Sequence, residues 1–206
     1  MCTTTKSIRV RIVQDNDPES PREWDNVGTM VCWHSRYNLG DEQPSGDGSD
    51  YLRELAADYV AANDPEDIPD EHVQRILDKY FLILPLYLFD HSGLHISTGG
   101  FSCPWDSGQV GYIYCEKSHG IAEYGDEDKA LEGLQEEVAT YDDYLSGNVY
   151  GFVIEECETC ETCENEEWEH VDSCFGFYGY DPDKNGMIDH VDPVFHSALR
   201  AAEISY

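Results

Sequence analysis

Basic residues are scarce in this chain. Twelve lysines and arginines stand against 43 aspartates and glutamates in 206 residues, a formal net charge of −31 at pH 7. The lysines are only Lys6, Lys79, Lys117, Lys129 and Lys184. So negative a surface repels phosphate, which argues against direct binding to nucleic acid or to an anionic membrane. No apolar run reaches transmembrane length, and MCTTTKSIRVRIV at the start lacks the basic-then-apolar layout of a secretion signal. The expectation is therefore a soluble, cytoplasmic protein. Internal repeats and a βαβ cadence are missing as well, which excludes solenoids and doubly wound folds.

What is present suffices for a core. Apolar residues make up 40% of the chain and aromatics 12%, so a single domain spanning 1–206 is expected, with a Cys-rich insert at about 155–174. The longest apolar runs, Phe81–Phe89 and Val110–Cys115, read as buried strands. Ile8–Val13, Thr29–His34, Val149–Ile154 and Val171–Phe177 read as further strands, the last two as a hairpin. Leu52, Leu55, Ala56, Tyr59 and Val60 recur at helical spacing after Ser49, and Val73, Ile76, Leu77 and Tyr80 do so after Pro69 and Asp70. Asp126 opens the longest helix, with Leu131, Leu134, Val138, Tyr141 and Leu145 in one stripe and Gly147 beyond its end. Pro193 opens a last helix. This irregular alternation predicts an α+β fold, a mainly antiparallel sheet with helices packed on one face.

The acidity admits two readings. In molar salt the Debye length shrinks to roughly 3 Å, so carboxylates that would repel one another in dilute buffer are tolerated. Alternatively, carboxylates imitate the nucleic-acid backbone, with its one charge per ~1.7 Å of duplex axis. The acids here are spread over 66–71, 123–128 and 155–169 rather than gathered in one tract, which favours salt adaptation.

Four strings carry a resemblance: WDNVGTMVCWHSRYNLGD (Trp24–Asp41), LPLYLFDHSG (Leu84–Gly93), CPWDSGQVGYIY (Cys103–Tyr114) and DSCFGFYG (Asp172–Gly179). They resemble a family of proteins encoded by tailed viruses, plasmids and other mobile elements. The resemblance implies a viral or mobile-element origin and, with this acidity, the cytoplasm of a salt-loving archaeal host. It implies no activity and no functional residue.

Three groups of residues are candidate sites. Cys157, Cys160 and Cys163 stand at CxxCxxC spacing with His170 and Cys174 nearby; zinc takes four such ligands in a tetrahedron, so a structural zinc closed by Cys174 or His170 is expected. The run Asp181–Asp192 carries Asp181, Asp183, Asn185, Asp189 and Asp192 at calcium-loop positions with Gly186 at the turn, although the entering helix is missing and a plain Asp/Asn/Gly turn fits as well. Finally, His34, Arg36 and Asp41 follow one strand, Asp90 and His91 follow a second, and Asp106 and Gln109 precede a third. If those strands are neighbours, His34, Asp41, Asp90, His91 and Asp106 form a His/Asp pocket. Cys103 beside His91 or His95 is a weaker nucleophile candidate, since a free cysteine is more often a small buried hydrophobe.

The resulting expectation is a salt-adapted protein that acts through an unidentified protein partner and holds a structural zinc. The alternatives are a hydrolase using the His/Asp pocket and a DNA mimic that inhibits a host nucleic-acid-binding defence protein.

Overall fold

In chain order the elements are β1 (Thr4–Gln14), β2 (Thr29–Cys32), α1 (Gly48–Tyr59), α2 (Asp70–Tyr80), β3 (Phe81–Asp90), β4 (Leu94–Ser97), β5 (Ser107–Glu116), α3 (Lys117–Tyr124), α4 (Glu127–Ser146), β6 (Val149–Cys160), β7 (Trp168–Tyr178), α5 (His196–Ala201) and β8 (Ile204–Ser205). They come from a computed structural model that describes residues 4–62, 64–160 and 168–205. The class is α+β, as expected, with two sheets, β7-β6-β1-β8 and β2-β5-β3-β4, whose pairings are antiparallel except for the short β1–β8 contact. Where the sequence reading takes one domain, the chain divides into two compact units, Met1–Glu19 with Ser146–Tyr206, and Ser20–Leu145. No helix among the described residues is long and apolar enough to cross a membrane.

The first unit is the long hairpin β6–β7 with β1 beside β6. Strand alternation sends Val10, Ile12, Phe152 and Ile154 to one face, where Met187, Ile188, Val191 and Leu199 cover them. Arg9 and Arg11 take the alternate positions and share Glu155.

The second unit is built on β3. Its even residues Leu82, Leu86 and Leu88 join Ile113 and Cys115 of β5 against Ala130, Leu134, Val138 and Tyr141 of α4. Its odd residues Phe81 and Ile83 join Tyr114 against Ala56 of α1 and Leu77 of α2. Helices thus cover both faces of this sheet, not the single face expected, because β3 and β5 are apolar on both sides. Leu134 is fully buried; truncation to Ala there costs about 2–5 kcal/mol. Asp126 caps α4, accepting from Lys129 N at 2.9 Å. Asp47, not Ser49, caps α1, accepting from both Ser49 N and Asp50 N. Gly111 is required by close approach: a Cβ there would lie 1.9 Å from Val31 O on the neighbouring strand. Pro85 is tolerated in β3 because β4 pairs only with Tyr87–Asp90, leaving one side of β3 open at that point.

Candidate functional site

β2, β3 and β5 are neighbours, and antiparallel pairing brings the end of β2, the end of β3 and the start of β5 to one edge of the second unit's sheet. Trp33 continues the β2–β5 ladder by donating to Val110 O at 2.7 Å. The chain then loops out and returns at Glu42, whose carbonyl accepts from Cys32 N. Asp90 N donates to Asp106 O at 2.9 Å, which ties the end of β3 to the loop before β5. Between these segments lies a cleft of about 500 Å³, whose walls include Trp33, His34, Arg36, Asp90, Trp105 and Asp106. The predicted convergence of polar groups therefore occurs for His34, Asp90 and Asp106.

Their arrangement suits binding better than proton transfer. His34 Nδ1 accepts from Arg36 N at 3.3 Å and Tyr37 N at 3.2 Å, and the ring stacks on Tyr37 at 4.9 Å. A neutral ring so held carries its proton on Nε2, so the nitrogen left over is a donor and not a base. Asp90 forms an ion pair with Arg36 and accepts from Tyr37 Oη at 3.4 Å. His91 lies beside Asp106, but at 3.4 Å and with both side chains well exposed, wider than the 2.6–3.2 Å of a working base and its orienting carboxylate. Cys103 Sγ donates to the same Asp106 carboxylate at 3.4 Å, and the other thiols of this unit are core groups: burial pushes Cys32 up to about 12 and raises Cys115.

Asp41 does not belong to the cleft. Its carboxylate accepts from Met30 N at 2.7 Å and from Arg22 at 2.9 Å (Nε) and 2.6 Å (Nη2). Arg22, whose side chain is only 5% exposed, also donates to Glu137 Oε2 at 2.9 Å and to Gly28 O at 2.6 Å, and Glu137 accepts from Val27 N and Gly28 N. Burial works against the Arg22 charge, yet its hydrogen bonds to Asp41 and Glu137 outweigh that and hold its pKa above the ordinary value. Asp41 is thus corrected from a catalytic candidate to the outer carboxylate of an ionic latch on the buried Arg22.

A pairing that sequence reading missed involves His95 of β4. Its Nδ1 lies 3.2 Å from Asp142 Oδ1 of α4, and the same oxygen accepts from Ile96 N at 2.7 Å. Both residues line a separate cavity of about 400 Å³ with Ser97 and Thr98. The only sequence signal for it was a histidine in the Asp90–Gln109 connection.

The metal candidates separate. Cys163 lies outside the described residues. Cys157 is buried and pairs with Trp168. Cys174 pairs with Phe152, five residues back along the strand and so roughly 17 Å away at ~3.4 Å per residue. Thiolates on one zinc sit about 2.3 Å from the metal, so Cys174 cannot join Cys157, a correction to the expected ligand set. His170 pairs with Glu155, two residues from Cys157, and its Nε2 lies 3.0 Å from Ser173 Oγ.

The calcium-loop residues are taken up by turns. Asp183 is doubly bonded to Arg200, whose hydrogen bonds hold its carboxyl below the usual range. Asp181 accepts from Asp183 N, Asn185 from Met187 N and Asp192 from Val194 N, while Asp189 is exposed in a 3-10 turn. Among the described residues no three His, Cys, Asp or Glu converge as a metal site.

No family model, curated protein or solved structure matches this chain.

Proposed function

We propose that the protein is a binding module that seats a segment of a partner protein in the cleft at the strand ends. One observation carries this reading: Trp105, in the wall of that cleft, is 92% exposed. A tryptophan offers 150–250 Å² of surface, and covering it at ~25 cal/mol per Å² contributes about 4–6 kcal/mol. Trp and Arg are the residues that dominate binding at protein interfaces, and Arg36, 66% exposed, borders the same cleft. The spread acidity supports work at molar salt in the cytoplasm of a salt-loving host, and the four sequence strings support an origin in a virus or mobile element. CxxCxxC spacing supports a structural zinc on the Cys-rich insert with Cys160 and Cys163 among its ligands; Cys157 and His170 are set apart from Cys160 by three and five residues of extended β6. The test is quantitative capture from host lysate at molar salt with the wild type, Trp105→Ala and Arg36→Ala. A protein retained by the wild type and lost with both variants, at unchanged Tm, is expected. Identical captures by all three would refute the cleft.

A hydrolase reading is favoured by one observation, the His95–Asp142 pair, which has the base-and-orienter geometry that activated nucleophiles need. Turnover of aryl ester or phosphodiester substrates that disappears in His95→Gln would carry it. No turnover by the wild type would end it.

A further inference from the structure

We propose that a second cavity, at the opposite end of the same sheet, binds an organic cation: an ammonium or guanidinium group on an aliphatic stem, presented by a basic side chain or by a free polyamine. This site is independent of the strand-end cleft, because it gathers around Phe81 at the start of β3 while the cleft gathers around Asp90 at its end.

The cavity encloses about 580 Å³. Its apolar wall comes from Leu55 and Tyr59 of α1, Phe81 of β3 and Tyr114 of β5, with Phe81 set edge-on to both tyrosines at 5.1 and 6.1 Å. Its polar wall includes Asp58, Glu116 and the imidazole of His119. Neither carboxylate has a basic partner among the described residues, and no lysine or arginine lines the cavity. The chain has little left to supply one. Ten of its twelve basic side chains are engaged in ion pairs elsewhere. Aromatic faces attract cations and carboxylates without a cationic partner fix them, while Leu55, Tyr59 and Phe81 give a hydrocarbon stem a surface to lie on. A bare metal ion is the poorer match, since among the described residues no three ligating groups converge as a metal site.

A chain of net charge −31 attracts any cation weakly, so the test must separate site from surface. Calorimetric titrations of the full chain in 2 M KCl, where long-range attraction is screened, would use spermidine, Nα-acetyl-lysine methylamide and the uncharged Nα-acetyl-norleucine methylamide. Saturable one-to-one binding of a charged probe is expected, at least tenfold tighter than the norleucine amide. Asp58→Asn with Glu116→Gln should weaken it at least tenfold, whereas Glu132→Gln with Glu136→Gln, the same charge change on exposed α4 positions, should stay within twofold. Saturation by spermidine alone assigns the site to a free polyamine, and saturation by the lysine amide alone assigns it to a protein side chain; either supports the proposal. Equal loss in the two double variants, equal binding of the uncharged amide, or no saturable binding would overturn it.

Discussion

Arg22→Met is the perturbation with the largest stability effect expected outside the apolar core. The side chain is 5% exposed, Glu137 is 11% exposed and Asp41 23%. Four hydrogen bonds of 2.6–2.9 Å end on the guanidinium, and three backbone amides, at Val27, Gly28 and Met30, depend on the two carboxylates it neutralises. Methionine fills much of the volume but leaves two neighbouring carboxylates without a countercharge. Breaking one side of a buried ion pair costs about 3–5 kcal/mol. At ~2–4 °C per kcal/mol for a chain of this size, Tm should fall by roughly 6–20 °C. Tryptophan fluorescence is a suitable probe, because Trp24, Trp33 and Trp105 lie in the unit that holds the latch and only Trp168 lies outside it. The loss should persist at molar salt, since buried pairs are screened far less than exposed ones; Lys129→Met, which removes the exposed pair with Asp126, should change stability by under ~1 kcal/mol at any salt. A loss below 1 kcal/mol for Arg22→Met, or one that vanishes in 2 M KCl, would refute the reasoning.

Three further outcomes are expected. Tm of the wild type should rise from millimolar to molar salt, because screening removes repulsion among 43 carboxylates that face few basic partners; a flat or falling Tm contradicts salt adaptation. Protein prepared without chelator should carry about one zinc per chain and lose it in Cys160→Ser with the second unit still folded, and metal analysis that finds none rejects the site. Glu155, hydrogen-bonded by Arg9 and, against the cost of burial, by Arg11, has its pKa held below the ordinary glutamate value. Its stabilisation is therefore complete above about pH 4.3 and lost as pH falls through the lower folded-state value, so Glu155→Gln should remove a component of the acid limb of Tm against pH, and an unchanged limb would count against the pairing.

The elements legible in the sequence were those whose own side chains make the core. Phe81–Phe89 and the stripe on α4 announce themselves because apolar residues repeat with the period of the element. β4 and α3 do not. β4 is four residues, LHIS, and exists as a strand through its pairing with Tyr87–Asp90 of β3. α3, KSHGIAEY, has no apolar stripe and contains Gly120, where a Cβ would come within 3.0 Å of Cys115 Sγ and 3.1 Å of Ala130 Cβ; its glycine serves close packing that only the tertiary fold defines. The strand-end cleft was legible because strand ends can be read from apolar runs. Asp41 is misread from sequence because its partner Arg22 is 19 residues away and Arg22 is held in turn by Glu137, 115 residues further on, and nothing local distinguishes a carboxylate that caps backbone from one that lines a cleft.

Scarcity of positive charge gives a sharper signal than any motif in this chain. Arg22 is buried in a network that holds the start of the second unit to α4, and its presence is accounted for by the groups it neutralises. Arg53, with its side chain 22% exposed, donates to Ile68 O at 2.7 Å and pairs with Asp70, linking α1 to the start of α2. Arg36 differs from both. Its side chain is 66% exposed, its one ion-pair partner among the described residues is Asp90, and it borders the cleft with Trp105. An exposed pair of that kind contributes about 0–1 kcal/mol to folding, so stability gives weak reason to place one of only seven arginines there. A planar donor beside a solvent-exposed indole is instead the pairing that interfaces use, and that is the argument for placing the proposed binding site in the cleft rather than on another surface of this unit.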